Sequence, residues 1–213
     1  MKYKGVIFDL DGVICSTDEY HYLAWKALAD RLNIPFGRED SDRQRGIGRM
    51  ESLEIVLEKS PVVYSQEEKV ALAAEKNELY RRLLGEMGEK DLVDEVKKTL
   101  FALREMGLKL AIGSSSKNTS FILERIGLGD FFDAVVDGNC ITYSKPHPEV
   151  FLKAADRLGL TPSACLVVED ARAGVEAAVA GGFDCAALGD AKDKPRAKWH
   201  LDGFSGVIKS VSA

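Results

Sequence analysis

The sequence predicts an α/β fold in which a parallel sheet forms the core and a helical segment is inserted after the first strand. Two observations carry this prediction. Short apolar runs without polar alternation recur along the chain between helical patterns, as in parallel sheets that are buried on both faces. Residues 17–87, in contrast, contain helical patterns and no convincing strand. We therefore predict a core domain of residues 1–16 and 88–213 and a helical domain of residues 17–87.

Each predicted strand rests on one apolar run. The runs lie at residues 6–10, 108–112, 134–136, 166–168 and 185–188. Apolar spacing predicts insert helices at residues 19–32, 49–58 and 66–84. In the core, one helix ends at Gly127, one begins at Pro148 and ends near Gly159, and one ends at Gly181. Proline is favoured in the first turn of a helix and glycine just after its end, which sets these limits.

Composition limits the function classes. The 213 residues contain 29 Lys and Arg against 34 Asp and Glu, so the net charge is −5. This balance argues against nucleic acid or an anionic membrane as partner, because both need a basic face. No apolar run reaches the roughly 18–20 residues of a membrane span. The four cysteines form no CxxC pair, which favours reduced thiols. We expect a cytoplasmic monomer that binds a small molecule.

Acidic residues follow two of the predicted strands. Asp9 and Asp11 end the first run, and side chains two apart on an extended strand point the same way. Read alone, this pattern fits a ligand site and a strand end followed by an Asp-Gly turn equally well. Three further stretches favour a site: "IGSSSKN" from residue 112, "YSKPHPEVF" from residue 143 and "LVVEDARAG" from residue 166. Each borders a strand end, where open α/β sheets bind ligands.

Together these residue types predict phosphoryl transfer. Asp9 can attack phosphorus to form an aspartyl-phosphate. Asp9, Glu169 and Asp170 offer the hard oxygen ligands that Mg2+ prefers. The Ser114 hydroxyl and the Lys145 ammonium can stabilise the transferring group. Asp11 is then free to act as general acid and base.

The motifs "DLDG", "SSSKN", "SKP" and "VEDARAG" resemble, in this order, the four motifs of the haloacid dehalogenase superfamily. In the insert, "TDEYHYLAWKALADRLNI", "RGIGRMESLEIVL" and "AAEKNELY" resemble the helical cap of the β-phosphoglucomutase family. The resemblance implies a Rossmann-like core with a mobile cap. It also implies Mg2+-dependent interconversion of β-glucose 1-phosphate and glucose 6-phosphate, with β-glucose 1,6-bisphosphate as intermediate and activator.

The resemblance further implies roles for individual residues. Asp9 is the expected nucleophile, and Asp11 is the acid/base whose backbone carbonyl joins Glu169 and Asp170 in binding Mg2+. Residues expected to hold the phosphate or the sugar are Ser114, Ser115, Ser116, Lys117, Asn118 and Lys145. Residues expected at the hinge and in catalysis are Thr17, His21 and Lys76. Cap residues expected to contact the sugar or the distal phosphate are Trp25, Gly46, Arg49, Ser52, Lys76 and Asn77.

Several of these residues have simpler explanations. Trp25 can be ordinary helix core, Lys76 an exposed helix lysine, and Arg49 a solvated arginine near a helix start. His21 shares a helix face with Trp25, and a histidine that titrates near neutral pH is also a candidate proton-coupled gate. The cap loop departs from the family pattern, with Arg45 and Gly48 in place of lysine and serine.

Two other functions stay open at this point. A phosphatase for a small phosphate ester would use the same acids and lysine but admit water to the aspartyl-phosphate. A non-catalytic binding protein on the same fold would need none of these residues. A mutase must hold phosphate at both ends of its bisphosphate, and a bidentate contact from Arg49 would serve the distal one.

Overall fold

Six parallel strands form one sheet at the centre of the protein. Its structure is a computed structural model that describes residues 2–191 and 195–213. The strands are β1 (Gly5–Phe8), β2 (Lys109–Gly113), β3 (Ala134–Val136), β4 (Cys165–Glu169), β5 (Asp184–Ala187) and β6 (Trp199–His200). Their order across the sheet is β3-β2-β1-β4-β5-β6. The α/β fold with a parallel sheet is thus confirmed.

The described ranges contain nine α-helices. They are α1 (Asp18–Arg31), α2 (Arg38–Asp42), α3 (Arg49–Leu57), α4 (Gln66–Leu84), α5 (Asp94–Glu105), α6 (Thr119–Arg125), α7 (Glu149–Leu158), α8 (Arg172–Ala180) and α9 (Gly206–Ser212). None of them combines the length and apolar character that a membrane span requires.

The structure corrects the prediction at a few element limits. Strand β1 ends at Phe8 rather than at residue 10, so Asp9 already lies beyond the strand. Pro148 precedes the first residue of α7 instead of opening the helix. Strand β6 and helix α2 were not predicted, because two and five residues are too short to show a periodic pattern.

The sheet is buried on both faces, which explains why its strands show no polar alternation. Val6 and Phe8 of β1 pack into one apolar cluster, and Ile7 between them packs into another on the opposite face. In the neighbouring strands, Leu166 and Val168 join the first cluster and Val167 the second. Both faces exclude water, so apolar residues occupy consecutive positions.

The helical insert contains α1 to α4 and has an apolar cluster of its own. Trp25, Leu28, Leu53 and Val56 belong to this cluster. The C-terminal half of α4 behaves differently, because Tyr80 packs into the apolar cluster of the sheet. Helix α4 therefore contacts both the insert and the core. The domain limits at residues 16/17 and 87/88 remain a prediction.

Candidate active site

The predicted acids and the serine meet because of the strand order. Strand β1 lies between β2 and β4, so the carboxyl ends of these three strands are adjacent. Asp9 follows β1, Ser114 follows β2, and Glu169 ends β4. Residues from three distant parts of the chain thereby share one edge of the sheet, where parallel sheets bind ligands.

Lys145 holds two of the acids together. Its Nζ donates hydrogen bonds of 2.6 Å to Asp9 Oδ1 and 2.6 Å to Glu169 Oε1. The Lys145 and Glu169 side chains are fully buried, and Asp9 is nearly so. Burial by itself lowers the pKa of Lys145, but the two carboxylates together raise it above its ordinary value. The lysine is therefore protonated and compensates negative charge that would otherwise be buried alone.

Three carboxylates form a candidate metal site. Oxygens of Asp9, Glu169 and Asp170 lie within 4.8 Å of one another, and all three residues are buried. Burial and Glu169 raise the pKa of Asp170 to about 8, and burial raises that of Asp9, as expected for buried carboxylates that lie close together. A set of hard carboxylate oxygens fits Mg2+.

Two glycines make room for these acids. At Gly12, which has φ +84°, a Cβ atom would lie 2.1 Å from Asp170 Oδ2. At Gly174, a Cβ would lie 1.8 Å from Glu169 Oε1. Glu169 can therefore turn back and accept hydrogen bonds of 2.9 Å from the backbone N–H groups of Asp170 and Ala171. A side chain at either glycine would displace a carboxylate of the candidate metal site.

Asp11 contacts the insert rather than the lysine. The Thr17 hydroxyl donates a hydrogen bond to Asp11 Oδ1, and His21 Nε2 lies 3.9 Å from the same oxygen. The other ring nitrogen of His21 lies 3.0 Å from Lys76 Nζ. Burial raises the pKa of Asp11, and the Thr17 hydrogen bond opposes that shift. The Asp11 carboxylate is thus bonded to the insert, whereas Asp9 and Glu169 are bonded to Lys145.

His21 does not fit the neutral-pH gate proposed from the sequence. Burial and the positive charges of Lys76 and Arg49 lower its pKa well below the usual 6.5. The imidazole is therefore neutral at pH 7 and does not titrate there. Lys76 is itself buried, with its Nζ 4.6 Å from the Trp25 ring centroid, so it is not an exposed helix lysine.

A cavity of about 610 Å³ lies between the sheet edge and the insert. The predicted residues that line it are Asp9, Asp11, His21, Trp25, Gly46, Arg49, Ser52, Lys76, Asn77, Ser114, Ser115, Ser116, Lys117, Asn118 and Asp170. Thr17, Lys145 and Glu169 are buried and are not part of the lining. Trp25 is 2% exposed and belongs to the insert's apolar cluster, so its packing role is clear, whereas its sugar contact remains a prediction.

Arg49 is a cation without an anionic partner in the described part of the chain. It is the first residue of α3, where the positive end of the helix dipole disfavours a positive side chain. Within the described residues, it forms no ion pair or hydrogen bond. Burial lowers the pKa of its guanidinium. Helix stability does not explain an arginine at this position, whereas an anionic ligand in the cavity would.

Polar contacts join the insert to the core across the cavity. The Ser115 hydroxyl donates to the backbone carbonyl of Gly46 at 3.1 Å, and Asn118 Nδ2 donates to Asn77 Oδ1 at 2.9 Å. Arg45 adds an ion pair of 2.6 Å with Asp170. These contacts keep the insert closed over the strand ends.

Sequence reasoning missed the role of some residues at the site. Arg45 was noted only as a departure, yet it binds Asp170 at 2.6 Å and Asp18 at 2.9 Å. Gly174 lies in "VEDARAG", but nothing in that motif shows that Glu169 folds back over it. Tyr80 follows Lys76 by one helical turn, and that spacing was the available signal for its presence at the site.

Comparison with known proteins agrees with this geometry. A family model described as haloacid dehalogenase-like hydrolase matches residues 3–182. The chain belongs to this family. It is therefore an enzyme of the haloacid dehalogenase superfamily. The acids and the serine at its strand ends, and the lysine in the loop before α7, lie in the four motifs quoted from the sequence.

Individual relatives differ in activity. The chain is 40% identical to a β-phosphoglucomutase of Bacillus subtilis (strain 168), over 87% of this chain and 83% of the relative. It is 32% identical to a fructose-1-phosphate phosphatase of Escherichia coli (strain K12), over 86% of this chain and 95% of the relative. Among solved structures, it resembles a β-phosphoglucomutase from Clostridium difficile with a TM-score of 0.92 and 34% identity, covering 99% of this chain and 96% of that chain.

Proposed function

We propose that the protein is a Mg2+-dependent β-phosphoglucomutase that interconverts β-glucose 1-phosphate and glucose 6-phosphate. The observation that carries this proposal is Arg49, which has no anionic partner in the described chain and lines the same cavity as Asp9. A mutase passes through a bisphosphate and needs one site for the transferring phosphate and another for the distal one. The acid cluster with Lys145 supplies the first site, and Arg49 supplies the second.

In the first half of the reaction, Asp9 carries the phosphoryl group. Asp11 removes the proton from the sugar's 6-hydroxyl, and the freed oxygen attacks phosphorus. The bond between Asp9 and phosphorus breaks, which gives β-glucose 1,6-bisphosphate and a free Asp9 carboxylate. Arg49 meanwhile binds the 1-phosphate.

In the second half, the bisphosphate binds with its two ends exchanged. Asp9 attacks the phosphorus of the 1-phosphate, and Asp11 returns its proton to the leaving sugar oxygen. Glucose 6-phosphate and the aspartyl-phosphate result, so a trace of bisphosphate keeps the enzyme primed. Bound at Asp9, Glu169 and Asp170, Mg2+ would neutralise charge on the transferring phosphoryl group.

Lys145 and Ser114 complete the phosphate site from the protein side. Lys145 stays protonated and close to Asp9, where it can stabilise the transferring group while holding the nucleophile in place. The hydroxyl of Ser114 accepts a 3.0 Å hydrogen bond from the N–H of Ser116, which fixes this turn of backbone at the strand end. Closure of the insert excludes water from the aspartyl-phosphate.

A phosphatase for a small sugar phosphate is the second candidate. The 32% identity to a fructose-1-phosphate phosphatase over 86% of this chain favours it. The catalytic acids and Lys145 would be the same, and water would replace the sugar hydroxyl as the group that Asp11 deprotonates. The two functions differ in whether the closed cavity admits water.

A coupled assay separates the two functions. Purified protein is incubated with Mg2+, β-glucose 1-phosphate and a trace of β-glucose 1,6-bisphosphate, while glucose 6-phosphate and free phosphate are followed together. We expect glucose 6-phosphate from the β-anomer only, little free phosphate, and no turnover by Asp9→Asn. Steady release of phosphate without glucose 6-phosphate would reject the mutase in favour of the phosphatase.

A further inference from the structure

Gln44 lies in the loop between α2 and α3, and its side-chain amide is buried. The amide Nε2 donates a 2.9 Å hydrogen bond to the backbone carbonyl of Ser52, whereas Oε1 has no hydrogen-bond partner among the described residues. The residue is 9% exposed, and the oxygen itself is shielded from water. Buried carbonyl oxygens in folded proteins are nearly always paired, so this one calls for an explanation.

The hydrogen bond to Ser52 fixes the direction in which the amide points. Exchanging the amide nitrogen and oxygen would bring two carbonyl oxygens together, so Nε2 faces α3 and Oε1 faces away from Ser52. Ser52 lies inside α3, where the regular helix pattern already gives its carbonyl the N–H of Val56 as a partner. The Gln44 bond is therefore not needed to satisfy that carbonyl, and its effect is to hold the amide in one orientation.

Gln44 also lines the cavity between the sheet edge and the insert, as does Arg49 five residues later. The two side chains suit different parts of a sugar phosphate. Arg49 is a cation and suits a phosphate, whereas the Gln44 carbonyl oxygen can only accept a hydrogen bond. The oxygens of an ionised phosphate are acceptors as well, so they cannot serve it. The hydroxyl groups of a sugar ring can donate, and they are therefore the partners that this oxygen can bind.

We infer that Gln44 is a specificity-determining residue whose Oε1 accepts a hydrogen bond from a ring hydroxyl of the sugar. This inference rests on the proposed function, in which the cavity holds a sugar phosphate. The hydroxyl arrives with the ligand while the insert is open, and closing of the insert shields the new bond from water. A phosphate ester that lacks this hydroxyl leaves the Gln44 oxygen unpaired in the closed complex, so the site discriminates against it.

Deoxy analogues of the substrate identify the hydroxyl. The 2-, 3- and 4-deoxy forms of β-glucose 1-phosphate are each assayed with the wild type. We expect kcat/KM to fall about tenfold or more for one of them, because a buried acceptor that loses its donor is costly. This part of the experiment needs no variant protein. An undiminished kcat/KM for all three analogues would overturn the inference.

The Gln44→Met variant tests whether Gln44 is the residue that binds this hydroxyl. Methionine is unbranched and of similar length, but it has no carbonyl oxygen. We expect kcat/KM for β-glucose 1-phosphate to fall about tenfold, and the sensitive deoxy analogue to react as well as the parent sugar in the variant. A glutamine with a purely structural role would lower the rates for all sugars by one common factor. Equal discrimination by variant and wild type would therefore overturn the inference.

The matched control is Gln66→Met. Gln66 is exposed and is not among the described residues that line the cavity, so we expect its replacement to change neither the rates nor the discrimination. Circular dichroism melting checks that both variants are folded. If Gln44→Met does not fold, Gln44→Asn takes its place, because it keeps the amide but withdraws the carbonyl by one methylene group. The same comparison of sugars then applies.

The products of the wild type distinguish this inference from the proposed function. A wild type that releases phosphate without isomerising the sugar rejects the mutase. The same comparison of analogues is then made on phosphate release, because the sugar occupies the same cavity in hydrolysis. A wild type that isomerises all three deoxy analogues as efficiently as the parent sugar rejects only the role of Gln44.

Discussion

Replacing Lys145 by methionine tests whether the buried acids depend on this lysine. Methionine is unbranched and of similar length, so it fills the space without the charge. In the metal-free protein the change leaves Asp9 and Glu169 buried side by side, each having lost a 2.6 Å hydrogen bond to the ammonium group. Removing one partner of a buried ion pair costs about 3–5 kcal/mol. A domain of ordinary stability, about 5–15 kcal/mol, remains folded after this loss.

The assay is urea unfolding at pH 7.5 in EDTA, followed by circular dichroism. With an m-value of about 2 kcal/mol/M, the expected loss lowers the midpoint by about 2 M. Mg2+ should restore more stability to the variant than to the wild type, because the cation compensates the same carboxylates. At about 100 times its Kd, a ligand of the folded state adds about 2.7 kcal/mol.

The matched control is Lys153→Met. Lys153 also pairs with a glutamate at 2.6 Å, but its side chain is 46% exposed. Exposed pairs of this kind contribute at most about 1 kcal/mol, so the control should unfold close to the wild type. If Lys145→Met were as stable as this control in EDTA, the buried carboxylates would not depend on the lysine, and Lys145 would not be the group that compensates their charge.

Three further predictions concern other charged groups. Burial alone would raise the pKa of Asp184, but hydrogen bonds from two lysines and a tyrosine hold it well below 3.8. Its stabilising effect is therefore complete above about pH 4 and is lost on further acidification, so the stability gap between wild type and Asp184→Asn should close as the pH falls. Parallel urea-unfolding curves from pH 3 to 7 would contradict this. Arg45 pairs with Asp170 at 2.6 Å, so we expect the Arg45→Gln variant to bind Mg2+ several-fold more tightly than the wild type. Calorimetry measures this affinity, and weaker binding would mean that the arginine supports the metal site. Arg49→Lys keeps the positive charge but loses the bidentate geometry of the guanidinium. We therefore expect KM for the bisphosphate to rise about tenfold while the Mg2+ affinity stays constant. An unchanged KM would show that Arg49 does not bind the distal phosphate.

The sequence by itself predicted the fold class and the place of the site. Runs of consecutive apolar residues identified five of the six strands, because strands buried on both faces need no polar positions. Asp9, Ser114 and Glu169 each lie at the end of such a run. The carboxyl ends of parallel strands collect at one edge of a sheet, so these residues could be assigned to one site without coordinates.

The tertiary structure decided which charged and polar side chains pair with one another. Lys145 and Asp9 are 136 positions apart, and Arg45 and Asp170 are 125 apart, so no local pattern records either pair. Burial and the positive charges of Lys76 and Arg49 lower the pKa of His21. Those two residues belong to other helices, so the sequence around His21 does not show this effect. Charge and hydrogen-bond balance depend on distances across the fold, and the order of residues along the chain does not contain those distances.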